Sequence, residues 1–255
     1  MNPAVIGNMS YSDKRKIAVI TGSTKGIGKS IGLSLLQEGC YVIFNYAASN
    51  KDAEALDNEL QSVYAGNYEI IKSNLSEMEG VETLTESILR NHQSIDYLIL
   101  NAGTTSRTSL RDISLDEWNR VLNTNLTMPL FLIQKLSKHI TDGGRIIFIG
   151  SLMGKYPHSM SISYGVSKAG VHMLSRYLVK EFAERKITIN TIIPGFVDTP
   201  WQKNKPVEIR QSIENKVALG RFAEPEEIAK VCLSIIENQY INGTEIVVDG
   251  GYCYQ

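Results

Sequence analysis

The sequence predicts a doubly wound α/β fold in one domain, and three observations predict it. Seven short runs rich in β-branched residues are spread along the 255 residues. Each run is almost continuously apolar, as suits a parallel strand covered on both faces. Between the runs lie longer stretches with apolar residues at three- and four-residue intervals, and alternation of this kind builds a parallel sheet sandwiched by helices.

In chain order, strands are expected at 16–21 (KIAVIT), 41–46 (YVIFNY), 68–72 (YEIIK), 96–100 (DYLIL), 145–150 (RIIFIG), 187–193 (ITINTII) and 245–249 (EIVVD). Helices are expected over 26–38, 50–63, 77–91, 115–140 and 163–185. Residues 1–15 are expected to be a loosely held tail without the apolar core of a signal peptide, leaving 16–255 as the folded domain. No internal repeat or Pro/Gly-rich linker divides it.

Composition narrows the function. With a net charge of −1, no overall positive field recruits nucleic acid or anionic membrane, and no apolar run is long enough to span a bilayer. Cys40, Cys232 and Cys253 are far apart and form no C-x-x-C, which argues against a disulfide framework or a metal site. A reducing, cytoplasmic setting is the simplest expectation.

Ligands of such sheets bind beyond the carboxyl ends of the strands. The first strand is followed by TGSTKGIG, Thr21 to Gly28. Gly22, Gly26 and Gly28 put permissive backbone at the turn and at the start of the next helix, where a pyrophosphate can approach exposed N–H groups. Glycines also serve plain tight turns. Their place directly after the first strand is what marks a Rossmann-type nucleotide site.

Two tyrosine–lysine pairs share a four-residue spacing. Tyr68 and Lys72 fall in an expected strand, where four residues span about 13 Å. Tyr164 and Lys168 fall at the start of an expected helix, where positions four apart share a face about 6 Å apart. Only the second pair can act together. A tyrosine ionises near pH ~10, and a neighbouring ammonium favours its phenolate. Taken alone, the pair is an ordinary half-buried tyrosine beside a lysine. Ser151 at the end of the fifth strand, Pro194-Gly195 after the sixth and Asn125 in VLNTNLTMP give it company.

These motifs resemble the short-chain dehydrogenase/reductase family, whose TGxxxGIG turn is matched by Thr21–Gly28, and the resemblance runs from about Lys16 to Gly251. It implies that Tyr164 is the acid/base at the substrate oxygen and that Ser151 orients that oxygen. Lys168 is implied to bind the nicotinamide ribose and lower the tyrosine pKa, and Asn125 to support a proton-relay water. The Y-x-x-x-K spacing differs from the wider one of related enoyl reductases, so carbonyl–alcohol chemistry is expected rather than C=C reduction.

The implied cofactor contacts are Gly22, Ser23, Thr24, Lys25, Gly26, Ile27 and Gly28, then Asn45 and Tyr46, and Asn74 and Leu75. They continue with Asn101, Ala102 and Gly103, Tyr164 and Lys168, and Pro194, Gly195, Val197 and Thr199. Asn45 and Tyr46 leave no carboxylate at the end of the second strand, and Lys25 adds a cation, so NADP(H) is expected over NAD(H). Leu100 replaces the first asparagine of the family's NNAG, and Asn74 an aspartate. His158 and His172 have no role in the family pattern and are expected to be loop-exposed and helix-surface.

The substrate wall is expected in 152–162 and 200–218, with Met153, Tyr156, Met160 and Trp201 as apolar candidates. The whole pattern is most similar to 3-oxoacyl-[acyl-carrier-protein] reductases. Acidic carriers dock on basic residues in that group; Arg185 fits one such position, while Asp142 stands where a second cation is expected. A reductase of a free ketone, sugar, polyol or steroid is the alternative. A catalytically inert nucleotide sensor would lack the tyrosine or lysine present here. The last strand with Asp249 resembles a segment that packs in a homotetramer.

Overall fold

The computed structural model of the chain describes residues 15–157, 161–203 and 205–254. Seven parallel strands form one sheet in the order β3-β2-β1-β4-β5-β6-β7. They are β1 (Ile17–Ile20), β2 (Tyr41–Tyr46), β3 (Tyr68–Lys72), β4 (Ile95–Leu100), β5 (Ile140–Ile149), β6 (Thr188–Pro194) and β7 (Glu245–Val248). The order reverses between β1 and β4, the point at which the carboxyl ends of such a sheet open into a crevice.

Eight α-helices complete the described fold: α1 (Gly26–Gln37), α2 (Asn50–Tyr64), α3 (Met78–Asn91), α4 (Leu115–Leu122), α5 (Met128–Leu136), α6 (Ile162–Glu181), α7 (Val207–Glu214) and α8 (Pro225–Glu237). Strand side chains alternate between two cores. Ala18, Ile20, Ile147 and Ile149 join the core packed under α1 and α8, whereas Val19, Ile146 and Phe148 join the one under α3, α5 and α6. The period of two explains why each strand reads as apolar throughout: both faces are covered.

The amino ends of three strands are pinned by one buried carboxylate. Asp96 accepts from the Ile17 N–H at 2.9 Å, from Lys16 Nζ at 2.9 Å and from the Thr141 hydroxyl at 2.9 Å. Buried Arg145 spends its guanidinium on main-chain carbonyls, including that of Ile236 at the end of α8 (3.0 Å). A group kept so far from water must be satisfied internally.

Two helical expectations change. The stretch 115–140 is not one helix: α4 gives way to a π-helical turn at Asn123–Thr127, then α5, a 3-10 turn at Ser137–His139, and β5 already at Ile140. The apolar period continues through the π-turn, so sequence spacing alone does not reveal the extra residue. Helices are also present at 207–214 and 225–237, outside the stretches named above; in the second, Pro225 occupies the first turn and Glu224 with Glu227 forms a capping box. No described helix is long and apolar enough to cross a membrane.

Candidate active site

A cleft of about 1310 Å³ opens over the carboxyl ends of the strands, with Gly22, Tyr164, Trp201 and Lys216 among the residues that line it. Its floor begins at the turn after β1. Gly22 has φ +60°, and a Cβ there would stand 2.8 Å from the Ala102 Cα, so only glycine fits. A Cβ on Gly28 would stand 2.5 Å from the Asn101 amide nitrogen. Lys25 precedes α1 in extended conformation and caps it with no side chain, leaving first-turn N–H groups directed at the cleft. That uncapped end suits a pyrophosphate.

The turn is fastened to its neighbours. Thr21 Oγ1 accepts from the N–H groups of Asn101 (3.0 Å) and Ala102 (2.9 Å), and Asn101 Nδ2 donates to the carbonyls of Thr21 (3.0 Å) and Gly22 (2.7 Å). The latch survives Leu100, which is buried in the apolar core. Asn45 is also internal. Its Oδ1 accepts from the Gly22 N–H at 3.2 Å and its Nδ2 donates to the Ser73 hydroxyl at 2.8 Å, while Ser23 Oγ accepts from the Asn45 N–H at 3.0 Å. These residues shape the cradle more than they reach into it.

Tyr46, Asn74 and Leu75 line the adjoining wall with Thr24, Gly26 and Ile27. Lys25 pairs at 2.5 Å with Asp52, whose carboxyl it holds below the usual range. On the far side Pro194, Gly195, Val197 and Thr199 continue the lining; Gly195 N–H donates to Val248 at 2.9 Å, and its Cα lies against Asp249.

The four catalytic candidates converge. Ser151 leaves the end of β5, and its hydroxyl accepts from the Met153 N–H at 3.2 Å and bonds Tyr164. Tyr164 and Lys168 lie one turn apart on α6, with Nζ 5.8 Å from the ring centroid. Burial raises the Tyr164 phenol above its ordinary value, opposed by the Ser151 hydrogen bond. Burial also pulls Lys168 down to about 8, and its Nζ donates to the Ile149 carbonyl at 2.7 Å. Both shifts disfavour charge, so the resting site holds a neutral phenol. Tyr68 and Lys72, by contrast, sit on β3 at the edge of the sheet, where the Tyr68 hydroxyl bonds Asp57 at 2.7 Å.

Asn125 is buried in the π-turn. Its Oδ1 accepts from the Thr104 N–H at 2.8 Å, and its Nδ2 donates to the Thr104 carbonyl and the Ser167 hydroxyl, both at 2.9 Å. Both Nδ2 hydrogens are thus committed, while Oδ1 keeps a second lone pair. Single-turn π-bulges are frequent at functional sites because they reposition one residue without ending the helix.

His172 corrects an expectation. It is not on the helix surface but 5% exposed behind Ser151, whose N–H donates to its Nε2 at 3.4 Å. An imidazole that accepts there is neutral, and burial lowers its pKa to about 4. Gly150 and Gly154 lie flat against the ring, where a Cβ would collide. Sequence reasoning missed it because α6 is only weakly amphipathic in pattern; the glycines at 150 and 154 were the available signal.

Of the apolar candidates, Met153 and Trp201 line the cleft, with the Trp201 ring 6.3 Å from that of Tyr164. Tyr156 is 45% exposed and lies outside the lining. His158 and Met160 fall outside the described residues. Arg185 is fully engaged: Nε donates to Asp142 at 2.8 Å, one terminal nitrogen to the Ser137 carbonyl at 2.6 Å and the other to that of Ile140. Among the described residues no cluster of metal ligands occurs. All three cysteines are free thiols.

The chain is similar over most of its length to known proteins. A family model described as "Enoyl-(Acyl carrier protein) reductase" matches residues 22–253. A 3-oxoacyl-[acyl-carrier-protein] reductase of Haemophilus influenzae is 36% identical over 240 residues, covering 92% of this chain and 97% of the relative. A short-chain dehydrogenase/reductase from Serratia marcescens superposes with a TM-score of 0.87 at 30% identity, covering 93% of this chain and 97% of its own. The Pseudomonas aeruginosa RhlG/NADP complex superposes with a TM-score of 0.85 at 28% identity, covering 93% and 96%.

Proposed function

The chain belongs to the short-chain dehydrogenase/reductase family, and from that premise we propose that residues 16–255 form an NADP(H)-dependent reductase of carbonyls to secondary alcohols, acting on a 3-oxoacyl thioester. The observation that carries the reading is the convergence of Ser151 and Tyr164 on one point of the cleft, one helical turn from buried Lys168.

Gly22, Gly26, Gly28 and the uncapped start of α1 hold the dinucleotide phosphates, and Lys168 and Tyr164 its ribose. When bound, the nicotinamide supplies or accepts the hydride. Ser151 fixes the substrate oxygen by hydrogen bonding. Tyr164, neutral at rest, gives that oxygen its proton; a general acid needs its proton before the chemistry, which suits the reductive direction. The Lys168 ammonium then stabilises the phenolate left behind. Asn125, held in place by its bonds to Thr104 and Ser167, supports the proton-relay water.

NADP(H) is favoured because no free carboxylate follows β2: Asp52 is neutralised by Lys25, and a 2′-phosphate meets no repulsion there. The family resemblance of the last strand implies a homotetramer, and free thiols suit a cytoplasmic setting.

Initial-rate oxidation of NADPH and of NADH with acetoacetyl-CoA, against a panel of free ketones and keto-sugars, tests the reading. Thioester turnover that Tyr164→Phe abolishes is expected. Turnover untouched by Tyr164→Phe sinks the mechanism. A second reading, a reductase of a free ketone, is favoured by one observation: Asp142 pairs with Arg185, so the position suited to an acidic carrier presents a neutralised cation.

A further inference from the structure

The geometry points to an anion site between Arg107 and Lys205 at the substrate end of the cleft, so that the substrate carries a carboxylate or phosphate besides its reducible carbonyl. The inference rests on the reductase reading above and narrows its substrate class.

The chain as a whole has net charge −1. Its cleft does not share that balance: Lys25, Arg107, Arg120, Lys168, Lys205 and Lys216 line it, against the single carboxylate of Glu208. Lys25 is paired with Asp52 at the glycine turn and Lys168 belongs to the reaction centre. Arg120 is spent on the loop, donating to the Thr104 hydroxyl at 2.6 Å and to the Thr105 carbonyl.

Arg107, Lys205 and Lys216 remain, and it is Arg107 and Lys205 that act on each other through their charges. Among the described residues neither forms an ion pair, although each has a carboxylate within a few positions in sequence. Glu117 lies beside Arg107 but gives one oxygen to the Ser106 hydroxyl and the other to the Thr108 hydroxyl at 2.6 Å. Those two bonds flank Arg107 and fix its backbone while leaving its guanidinium uncommitted. Glu208 stands three residues beyond Lys205 without contacting it.

The two cations line the same cleft from different loops, near enough for the charge of one to act on the other. Lys205 is partly buried, and its pKa is lowered first by that burial and then by the charge of Arg107. Like charges brought together and partly dehydrated cost free energy that an anion between them returns. Their place is beside the reaction centre. Ser106, just before Arg107, accepts at its carbonyl from the Ser161 hydroxyl, three residues ahead of Tyr164. Lys205 lies a short turn after Trp201, whose ring approaches Tyr164.

Two matched pairs of substrates test the site and separate the sources of the anion. Acetoacetate against methyl acetoacetate asks for a carboxylate next to the ketone. Acetoacetyl-CoA against the acetoacetyl thioester of N-acetylcysteamine asks for a more distant phosphate. In the wild type, kcat/KM for the charged member of at least one pair is expected to exceed its neutral partner by about tenfold or more, roughly 1.4 kcal/mol. Arg107→Gln with Lys205→Gln should bring that ratio to within about twofold.

NADPH affinity is read in parallel by fluorescence titration, with binding of each charged compound followed through tryptophan emission in case turnover is absent. A wild type without charge preference in rate or binding overturns the site, as does a preference that survives the double variant. Loss of NADPH affinity in that variant overturns it too, by assigning the cations to the cofactor. A wild type that binds the anions but reduces no ketone leaves the site standing and removes the reductase reading instead.

Discussion

Buried His172 makes the fold sensitive to acid in a defined window. The ring accepts a hydrogen bond from Ser151 and is neutral in the fold, with its pKa near 4 rather than the ordinary 6.5. Glu245 favours the charged form, but burial dominates, and Lys168, Lys155 and Arg176 oppose a further positive charge. Above pH 6.5 the imidazole is neutral folded or unfolded and contributes no pH dependence. As the pH falls from about 6.5 to about 4, the unfolded chain takes up a proton that the fold refuses, so stability is lost across that window. At about 1.4 kcal/mol per pH unit the loss from this one ring approaches roughly 3 kcal/mol. His172→Gln supplies an acceptor of similar size that does not titrate. Urea unfolding at fixed protein concentration should find the variant within about 1 kcal/mol of wild type at pH 7. Towards pH 4 the wild type should lose up to roughly 3 kcal/mol more than the variant. Parallel decline of the two proteins between pH 6.5 and 4 would refute the assignment of a buried neutral imidazole.

Lys168→Met should abolish turnover while raising unfolding free energy by about 1–2 kcal/mol, because a dehydrated ammonium is replaced by an apolar chain and only the bond to Ile149 is lost; denaturant titration beside rate assays checks both halves. Lys25→Glu should lower kcat/KM for NADPH by about tenfold or more with a smaller change for NADH, since it sets a carboxylate beside Asp52 where the 2′-phosphate is expected. Gly28→Ala should weaken NADPH binding, measured by fluorescence, because its Cβ displaces the Asn101 amide that locks the turn. Cys40 and Cys232, with pKa values pushed up to about 11 and about 12 by burial, should resist a thiol reagent until the protein unfolds.

What could be read in the sequence was what depends on neighbours along the chain. The apolar runs located all seven strands because both faces of a parallel sheet are buried, and helical spacing put Tyr164 and Lys168 on one face. The glycine turn was legible because φ +60° at Gly22 and the crowding at Gly28 admit no other residue. Contacts between distant segments were not legible. The bonds from Asn45 to Ser73 and Gly22 cannot be read along the chain, and His172 reads as surface until β5 is laid across it. Nor does spacing show that Asp142, the departure from the carrier-docking pattern, is the partner of Arg185.

The two walls of the cleft are built differently. The loop after β4 is tied down residue by residue: Thr104 to Asn125, Thr105 to Ser161, and Ser106 and Thr108 to Glu117. Across from it the contacts are short and local, Gln202 N–H to Thr199 and Lys205 N–H to Gln202, and Arg210 grips both oxygens of Asp198 at the base at 3.1 Å. One wall is thus welded to the catalytic frame and the other is a detachable jaw. Segments exchanged between Thr199 and Arg210 are then expected to change what the cleft accepts while the loop after β4 keeps its ties, so new specificities are reachable through about ten contiguous codons.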